Sequence, residues 1–155
     1  MRARTLRRLM NMWPPFLANG IQVLAISDDW RRARVVLKLR PWNRNYVGSQ
    51  FGGNLFAMTD PFWMVLALHR LGPDYYVWDK AAAIEFVAAA REDVFAEFHL
   101  DDDAVTLLRR EAASGDKVLR WFDTEIATGS GEVVARVRKQ LYVRLKPRAR
   151  NARPS

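Results

Sequence analysis

A largely apolar segment occupies the middle of the chain, from Asn54 to Leu71. It follows Gly52–Gly53 and ends at Gly72–Pro73, and these residues are typical signals for the boundaries of a helix. The apolar residues do not keep to one stripe, and a helix that is apolar on every side has to be buried on every side. The sequence therefore predicts a central helix over residues 54–71 with other elements wrapped around it.

Several segments around this helix alternate between apolar and polar positions with the period of a β-strand. In residues 133–145, for example, Val137 and Leu141 alternate with Arg138, and the turn 129–131 predicts a hairpin. The other predicted strands are residues 21–27, 33–40, 76–88, 93–100 and 117–127. The pattern predicts an α+β fold in which a curved, mainly antiparallel sheet covers one long buried helix.

Two shorter helices are expected outside this core. Apolar side chains fall at helical spacing near the start, opposite a basic face, and the pattern ends at Pro14–Pro15. The apolar positions are Leu6, Leu9, Met10 and Trp13, and the basic positions are Arg4, Arg7 and Arg8. Such a helix either covers an edge of its own core or lies on a membrane surface. Residues 101–114 predict the second helix.

Composition narrows the class of protein. The 155 residues are 50% apolar and 27% charged, which indicates one folded domain over residues 1–155, with a core at about 16–146. The absence of cysteine excludes disulfides, cysteine-ligated metals and thiolate catalysis. His69 and His99 lie far apart in sequence and do not form a metal-binding motif, so we expect no metal.

The net charge of +8 is concentrated at the two ends of the chain. Residues 1–12 and 144–155 hold nine basic residues and no acid, and the 131 residues between them carry a net charge of −1. A nucleic-acid-binding domain would carry its positive charge on the folded body, so we expect no nucleic-acid partner. The basic ends, 1–12 and 147–155, leave contact with an acidic membrane surface open. We expect a cytoplasmic protein without a transmembrane segment or secretory signal.

Asp60 interrupts the most apolar segment of the chain. Burying a carboxylate is unfavourable unless it is paired or hydrogen-bonded, and such groups are candidates for a functional site. Asp60 followed by Pro61 also fits a helix N-cap with proline at the first helical position. A helix kinked at residues 60–61 would reconcile the two interpretations.

Glycines before the helix supply the second candidate feature. The loop from Gly48 to Gly53 would leave backbone N–H groups accessible at a helix start, where they can bind an oxyanion. From Gly52 to Asp60 a helix rises about 12 Å. A base and an oxyanion donor must each lie within about 3 Å of the atoms that react. If both groups act on one carbonyl, Asp60 of one subunit has to meet Gly52 and Gly53 of another.

These residues resemble a motif of the hotdog-fold thioesterases. Asn45, Gly48 and the run FGGNLFAMTD (51–60) are similar to the phenylacetyl-CoA thioesterase-like motif, in which His-Gly-Gly precedes a helical acid at this spacing. Residues 76–86 (YVWDKAAAIEF) resemble an uncharacterised branch of the fold, a domain of unknown function. The order of elements agrees from about residue 16 to 146.

The resemblance implies dimers or dimers of dimers that hydrolyse acyl-CoA or acyl-carrier-protein thioesters. It implies that Asp60 is the general base or nucleophile and that the Gly52 N–H, with Gly53, polarises the thioester carbonyl. Asn45 would orient water or the carbonyl. Phe51 stands where many members have histidine, so a side-chain contact is lost. No cofactor is implied other than the CoA of the substrate.

Large side chains near the motif are candidates to bind the acyl group, although on a buried helix such residues more often belong to the core. They are Phe51, Phe56, Trp63 and Met64. Arg138, Lys139 and Arg144 are candidates to meet CoA phosphates, without a choice among them. The alternative function is a non-catalytic module that binds an acyl thioester or fatty acid. Phe51 and Pro61 favour it, and Asp60 favours the enzyme.

Overall fold

A six-stranded sheet, antiparallel throughout, carries most of the chain. The computed structural model describes residues 1–151, so the last part of the basic C-terminal end, with Arg153, lies outside the described residues. The strands are β1 (Ile21–Ile26), β2 (Arg32–Leu37), β3 (Tyr75–Phe86), β4 (Val94–His99), β5 (Val118–Thr128) and β6 (Val133–Leu145). Their order in the sheet is β1-β2-β4-β5-β6-β3. The six predicted strands are confirmed, with ends that differ by at most three residues.

Within residues 1–151, six helices accompany the sheet: α1 (Ala3–Met12), α2 (Pro14–Asn19), α3 (Gly52–Ala57), α4 (Phe62–Leu71), α5 (Asp102–Glu111) and α6 (Pro147–Asn151). The prolines that end α1 also begin α2, because proline is tolerated in the first turn of a helix. Neither α2 nor α6 was predicted. Asp101 caps α5 by accepting a hydrogen bond from the Ala104 amide at 2.7 Å. Among the described residues, no helix has the length and apolar character needed to cross a membrane.

The central helix is present in two parts. Helices α3 and α4 cover the predicted segment 54–71, with a break at residues 58–61. Helix α4 packs its aromatic side chains into the concave face of the sheet, where the Phe62 ring lies 4.8 Å from the Phe98 ring. Trp63 stacks on Phe122 at 4.7 Å and donates its indole N–H to the Thr124 hydroxyl at 2.8 Å. The α+β architecture of a buried helix covered by one sheet is therefore as predicted.

In the described chain, one edge of the sheet is covered by a helix and the other edge is open. Helix α1 lies against β1, where Asn11 accepts a hydrogen bond from the Val23 amide (2.7 Å) and donates one to the Val23 carbonyl (3.0 Å). Arg7 donates to the Leu24 carbonyl at 3.0 Å. Because α1 occupies the hydrogen-bonding groups of this edge, it prevents pairing with another strand. Of the two uses expected for the basic helix, the structure shows the first. The other edge is the twelve-residue β3, which no described element covers.

We predict that Asn11→Ala destabilises the protein by about 1–2 kcal/mol, because the Val23 amide and carbonyl would lose their partner beneath α1. Urea unfolding followed by circular dichroism measures the change. Asn19→Ala is the matched control, since Asn19 bonds to the Pro15 carbonyl on an exposed surface, and it should cost about 0.5 kcal/mol or less. Equal losses for the two variants would contradict the role given to Asn11.

Candidate functional site

The break between α3 and α4 presents Asp60. The Asp60–Pro61 peptide is cis, and Pro61 is the residue that precedes the first turn of α4. No side chain caps this helix, so the interpretation of Asp60 as an N-cap is wrong. The carboxylate is directed instead toward a lysine on the sheet, and this ion pair replaces the cap. The kink expected at residues 60–61 is confirmed.

Lys139 joins two aspartates from different elements. Its ammonium on the inner side of β6 lies 2.6 Å from Oδ1 of Asp60 and 3.0 Å from Oδ2 of Asp79 on β3. Asp79 stands at a bulge, where the pairing of β3 with β6 shifts by one residue. We call Asp60, Asp79 and Lys139 the charged cluster.

Burial differs sharply among these three side chains. Lys139 is 7% exposed, Asp79 24% and Asp60 49%. A buried ammonium without partners would be strongly destabilising, and here two carboxylates compensate it. Asp79 Oδ1 is buried and has no hydrogen-bond partner among the described residues. Asp60 is therefore the member of the cluster that a substrate or water can reach.

The cluster shifts the pKa values of its two more buried members. Burial alone would lower the pKa of Lys139, but its hydrogen bonds and charge interactions with Asp60 and Asp79 outweigh burial and raise it. Burial raises the pKa of Asp79, Lys139 opposes this, and the neighbouring Asp60 carboxylate adds to the increase. Lys139 thus stays protonated, and Asp79 holds a proton more readily than an ordinary aspartate.

Gly52 of the motif lines a separate groove. This groove has a volume of about 440 Å³, and Gly52, Asn45, Leu55 and Phe86 are among its lining residues. Gly52 and Gly53 are the first two residues of α3, and no side chain caps the helix. Their amides have no carbonyl partner within the helix, as is usual for a first turn.

Aromatic rings press against both glycines. A Cβ on Gly52 would lie 2.9 Å from the Phe86 ring, and a Cβ on Gly53 would lie 2.5 Å from the Phe51 ring. Phe51 and Phe86 are both more than half exposed. Glycine therefore lets two exposed rings lie directly on the start of α3, and the Phe86 ring forms part of the wall of the groove.

Asn45 organises the loop that leads to the glycines. Its side chain donates to the Ser49 hydroxyl at 2.8 Å and accepts from the amides of Val47 and Ser49 at 3.1 and 2.9 Å. Gln50, which is buried, donates to the carbonyls of Leu37 and Glu92. These bonds fix the loop before α3. A role for Asn45 toward water or a carbonyl stays a prediction.

The remaining candidates divide between the cluster and the core. The Phe56 ring centroid lies 5.7 Å from the Lys139 ammonium. Trp63 is buried in the aromatic core, and Met64 is partly buried against it. Arg138 pairs with Asp123 on the outer side of the sheet. The structure brings Phe51, Asn45 and the glycines together at the loop, and it places Asp60 outside the set of residues that line the groove of Asn45 and Gly52.

The sequence reasoning missed Asp79 altogether and considered Lys139 only as a partner for CoA phosphates. A signal for Lys139 was present in the pattern of β6. It occupies an inward position of β6 between Val137 and Leu141. The remaining inward positions of the strand from 135 to 145 are all apolar. A lysine at such a position needs a buried counter-ion. Asp79 gave no comparable signal, because it follows an exposed tryptophan at the irregular part of β3.

Comparison with known proteins identifies a family and a fold. Residues 2–143 match the family model described as a domain of unknown function, DUF4442. None of the curated proteins matches the chain. Similar solved structures include a protein of unknown function from Pseudomonas aeruginosa described as a probable thioesterase, which has 21% identity and a TM-score of 0.83. The alignment covers 94% of this chain and 97% of that one.

Two further structures share the fold at lower similarity. A Haemophilus influenzae thioesterase has 13% identity and a TM-score of 0.68, and covers 94% of this chain and 92% of its own. The Escherichia coli PaaI protein from the phenylacetic acid degradation operon has 16% identity, a TM-score of 0.60 and 90% coverage of both chains. At these identities the similarity concerns the fold. The predicted hotdog fold and its uncharacterised branch are confirmed.

We predict that the stability difference between the wild type and Asp79→Asn depends on pH. Because the pKa of Asp79 is raised on folding, the folded state binds its proton more tightly than the unfolded state does. The resulting contribution to the free energy of unfolding is complete below the ordinary aspartate pKa of 3.8, and it is lost as pH rises through the raised pKa of Asp79. Urea unfolding from about pH 3 to 7 should therefore show the wild type losing stability relative to Asp79→Asn. A wild type that gains stability relative to Asp79→Asn as pH rises would contradict the assigned shift.

Proposed function

Because this chain belongs to the DUF4442 family, whose description states no function, we propose its reaction from its own residues: hydrolysis of acyl-CoA or acyl-carrier-protein thioesters. The observation that carries the proposal is Asp60, a half-exposed carboxylate held at a break in the buried helix by a buried lysine. The thioesterase descriptions of the Pseudomonas and Haemophilus structures support the same class of reaction.

The first form of the mechanism uses Asp60 as a general base. The carboxylate removes a proton from a water molecule while the water oxygen adds to the thioester carbonyl carbon. The developing oxyanion accepts a hydrogen bond from the Gly52 N–H. The tetrahedral intermediate then breaks its carbon–sulfur bond, and the leaving thiolate takes the proton back from Asp60. The products are a carboxylic acid and a thiol.

In the second form Asp60 is the nucleophile. Its free oxygen adds to the carbonyl carbon, the thiolate leaves, and an acyl–aspartyl anhydride remains on the protein. Water then hydrolyses the anhydride and restores the carboxylate. Asp60 suits either role because Lys139 binds Oδ1 and no described residue forms a hydrogen bond with Oδ2.

Both forms require a second copy of the chain. Asp60 and Gly52 stand at opposite ends of a segment too long for one carbonyl to bridge. The free edge of β3 supports a two-fold dimer, since a long uncovered edge strand tends to pair with another strand. The exposed rings of Phe51 and Phe86 add an apolar surface beside the groove. Pairing of two β3 strands would bring Asp60 of one subunit toward Gly52 of the other.

A non-catalytic module that binds acyl thioesters is the second candidate. Two observations favour it: Phe51 supplies no polar group beside the glycines, and Lys139 occupies one oxygen of Asp60. Such a protein would bind the acyl group in the apolar groove without breaking the carbon–sulfur bond. It predicts binding of acyl-CoA with no release of thiol.

We predict that the wild type releases thiol from at least one member of a panel of short, aromatic, medium and long acyl-CoAs. Asp60→Asn should lower kcat about a hundredfold or more, because the amide neither accepts a proton nor attacks the carbonyl. Asp123→Asn, which alters an exposed acid on the opposite side of the sheet, should leave kcat unchanged.

The panel also separates the two candidate functions. Turnover that survives Asp60→Asn would show that Asp60 is not the reacting group. An absence of turnover together with a higher melting temperature in acyl-CoA would instead support the binding module.

We predict that Gly52→Pro lowers kcat far more than Gly52→Ala. Proline fits the first helical position and removes only the N–H, and the extended backbone of Phe51 suits a following proline. Both variants place a Cβ against the edge of the Phe86 ring, so alanine controls for this contact. Refolding Gly52→Pro together with Asp60→Asn in equal amounts should restore about a quarter of wild-type activity, since half of the dimers gain one intact site. No restoration, or a monomer at micromolar concentration in ultracentrifugation, would contradict the shared site.

A further inference from the structure

We propose that Asp79 is a positioning residue that remains as the counter-ion of Lys139 when Asp60 loses its charge during turnover. The inference rests on the proposed role of Asp60 and explains why one buried ammonium has two carboxylate partners. If Lys139 served only to hold Asp60, one carboxylate would be sufficient. Asp79 becomes necessary when Asp60 loses its negative charge.

The charge of the cluster changes in the same way in both forms of the mechanism. As a base, Asp60 gains a proton from water, and as a nucleophile it becomes an uncharged acyl anhydride. Two carboxylates and one ammonium then change from a net charge of −1 to zero. Without Asp79 the same step would leave the ammonium of Lys139 buried and unpaired, which is strongly unfavourable.

Burial assigns the two carboxylates to different roles. Asp79 is the more enclosed acid, and one of its oxygens is fully buried without a hydrogen-bond partner. Asp60 is twice as exposed and lies at the break between α3 and α4. The exposed carboxylate is accessible for reaction, whereas the enclosed one is protected from substrate and stays beside the lysine.

The charges that shift the pKa values of Lys139 and Asp79 come from within the cluster. The charges that act on Lys139 come from Asp60 at the helix break and Asp79 on β3. Those that act on Asp79 come from Lys139 on β6 and from Asp60. The Phe56 ring, whose centroid lies 5.7 Å from the ammonium, carries no charge. Removing one member should therefore shift the titration of the others in a direction that can be stated in advance.

The test compares pH profiles of kcat for the full-length wild type and three variants, on the best thioester of the panel. Asp79→Asn should lower kcat about tenfold or more with KM within about twofold, because the cost arises only after Asp60 is neutralised. Its acid limb should move to lower pH, since the ammonium then has a single carboxylate partner. Lys139→Met should move the acid limb to higher pH, because the two carboxylates then face each other without the cation.

Asp123→Asn is the matched control. Asp123 pairs with Arg138 at 3.0 Å between neighbouring strands, as the cluster does, but on the exposed side of the sheet. Its profile should overlie that of the wild type. A purely structural role for the cluster would lower kcat in both cluster variants without moving their acid limbs in opposite directions, and this result would overturn the inference.

The double variant Lys139→Met/Asp79→Asn provides a second test if Lys139→Met alone does not fold. It retains one carboxylate, Asp60, and no buried ammonium, so its kcat should exceed that of Asp79→Asn alone. A double variant no more active than Asp79→Asn would also overturn the inference. An inactive wild type on every thioester would instead remove the proposed function and the inference together, and this outcome is distinct from an active wild type whose cluster variants behave normally.

Discussion

The requirement to neutralise one buried ammonium determines how the centre of this molecule is arranged. Lys139 extends from an inward position of β6 into a space that is otherwise apolar, and a cation there is tolerated only with carboxylate partners. Asp79 reaches it from β3 and Asp60 from the central helix. The ion pairs therefore connect the edge strand, its neighbour and the helix at one point. Asp60 is directed to this ion pair and does not cap α4, and the helix is interrupted where a continuous one would fit the apolar pattern.

The two edges of the sheet differ in whether another element covers them. Helix α1 covers β1 through Asn11, which supplies a donor and an acceptor to Val23 as a paired strand would. Edge β3 has no such cover in the described chain. Since edge strands invite association, the chain is protected on one side and open on the other. The open side carries Asp79 and adjoins the groove of Gly52, so the same edge that would pair with a second copy also lies beside the residues proposed to react.

Local patterns were sufficient to predict the elements but not the contacts between distant ones. Alternation identified β6, and glycine and proline marked the ends of the central segment, because both signals act over a few residues. The pairing of Asp60 with Lys139 joins residues 79 positions apart, and it depends on strand order, on the bulge at Asp79 and on the helix break together. The N-cap interpretation of Asp60 was wrong for the same reason: it considered local partners, whereas the ion pair formed at a distance. The loop around Gly52 was easier to predict than the ion pair, because Asn45, Phe51 and the glycines lie close together in sequence.

Phe51 stands where the similar thioesterase motif has histidine, so the loop beside the glycines has no ionisable side chain at this position. An imidazole beside the glycines could carry or share a proton near the carbonyl, whereas a phenyl ring can only exclude water and pack against Gly53. In this chain the ionisable groups lie instead on the sheet side, around Asp60. A charged cluster with one carboxylate in excess can absorb the neutralisation of Asp60 without help from the loop. The loop then needs to contribute only backbone N–H groups and an apolar surface, which phenylalanine supplies as well as histidine does. In the proposed mechanism, the departure at Phe51 is thus compatible with catalysis while the charged cluster remains intact.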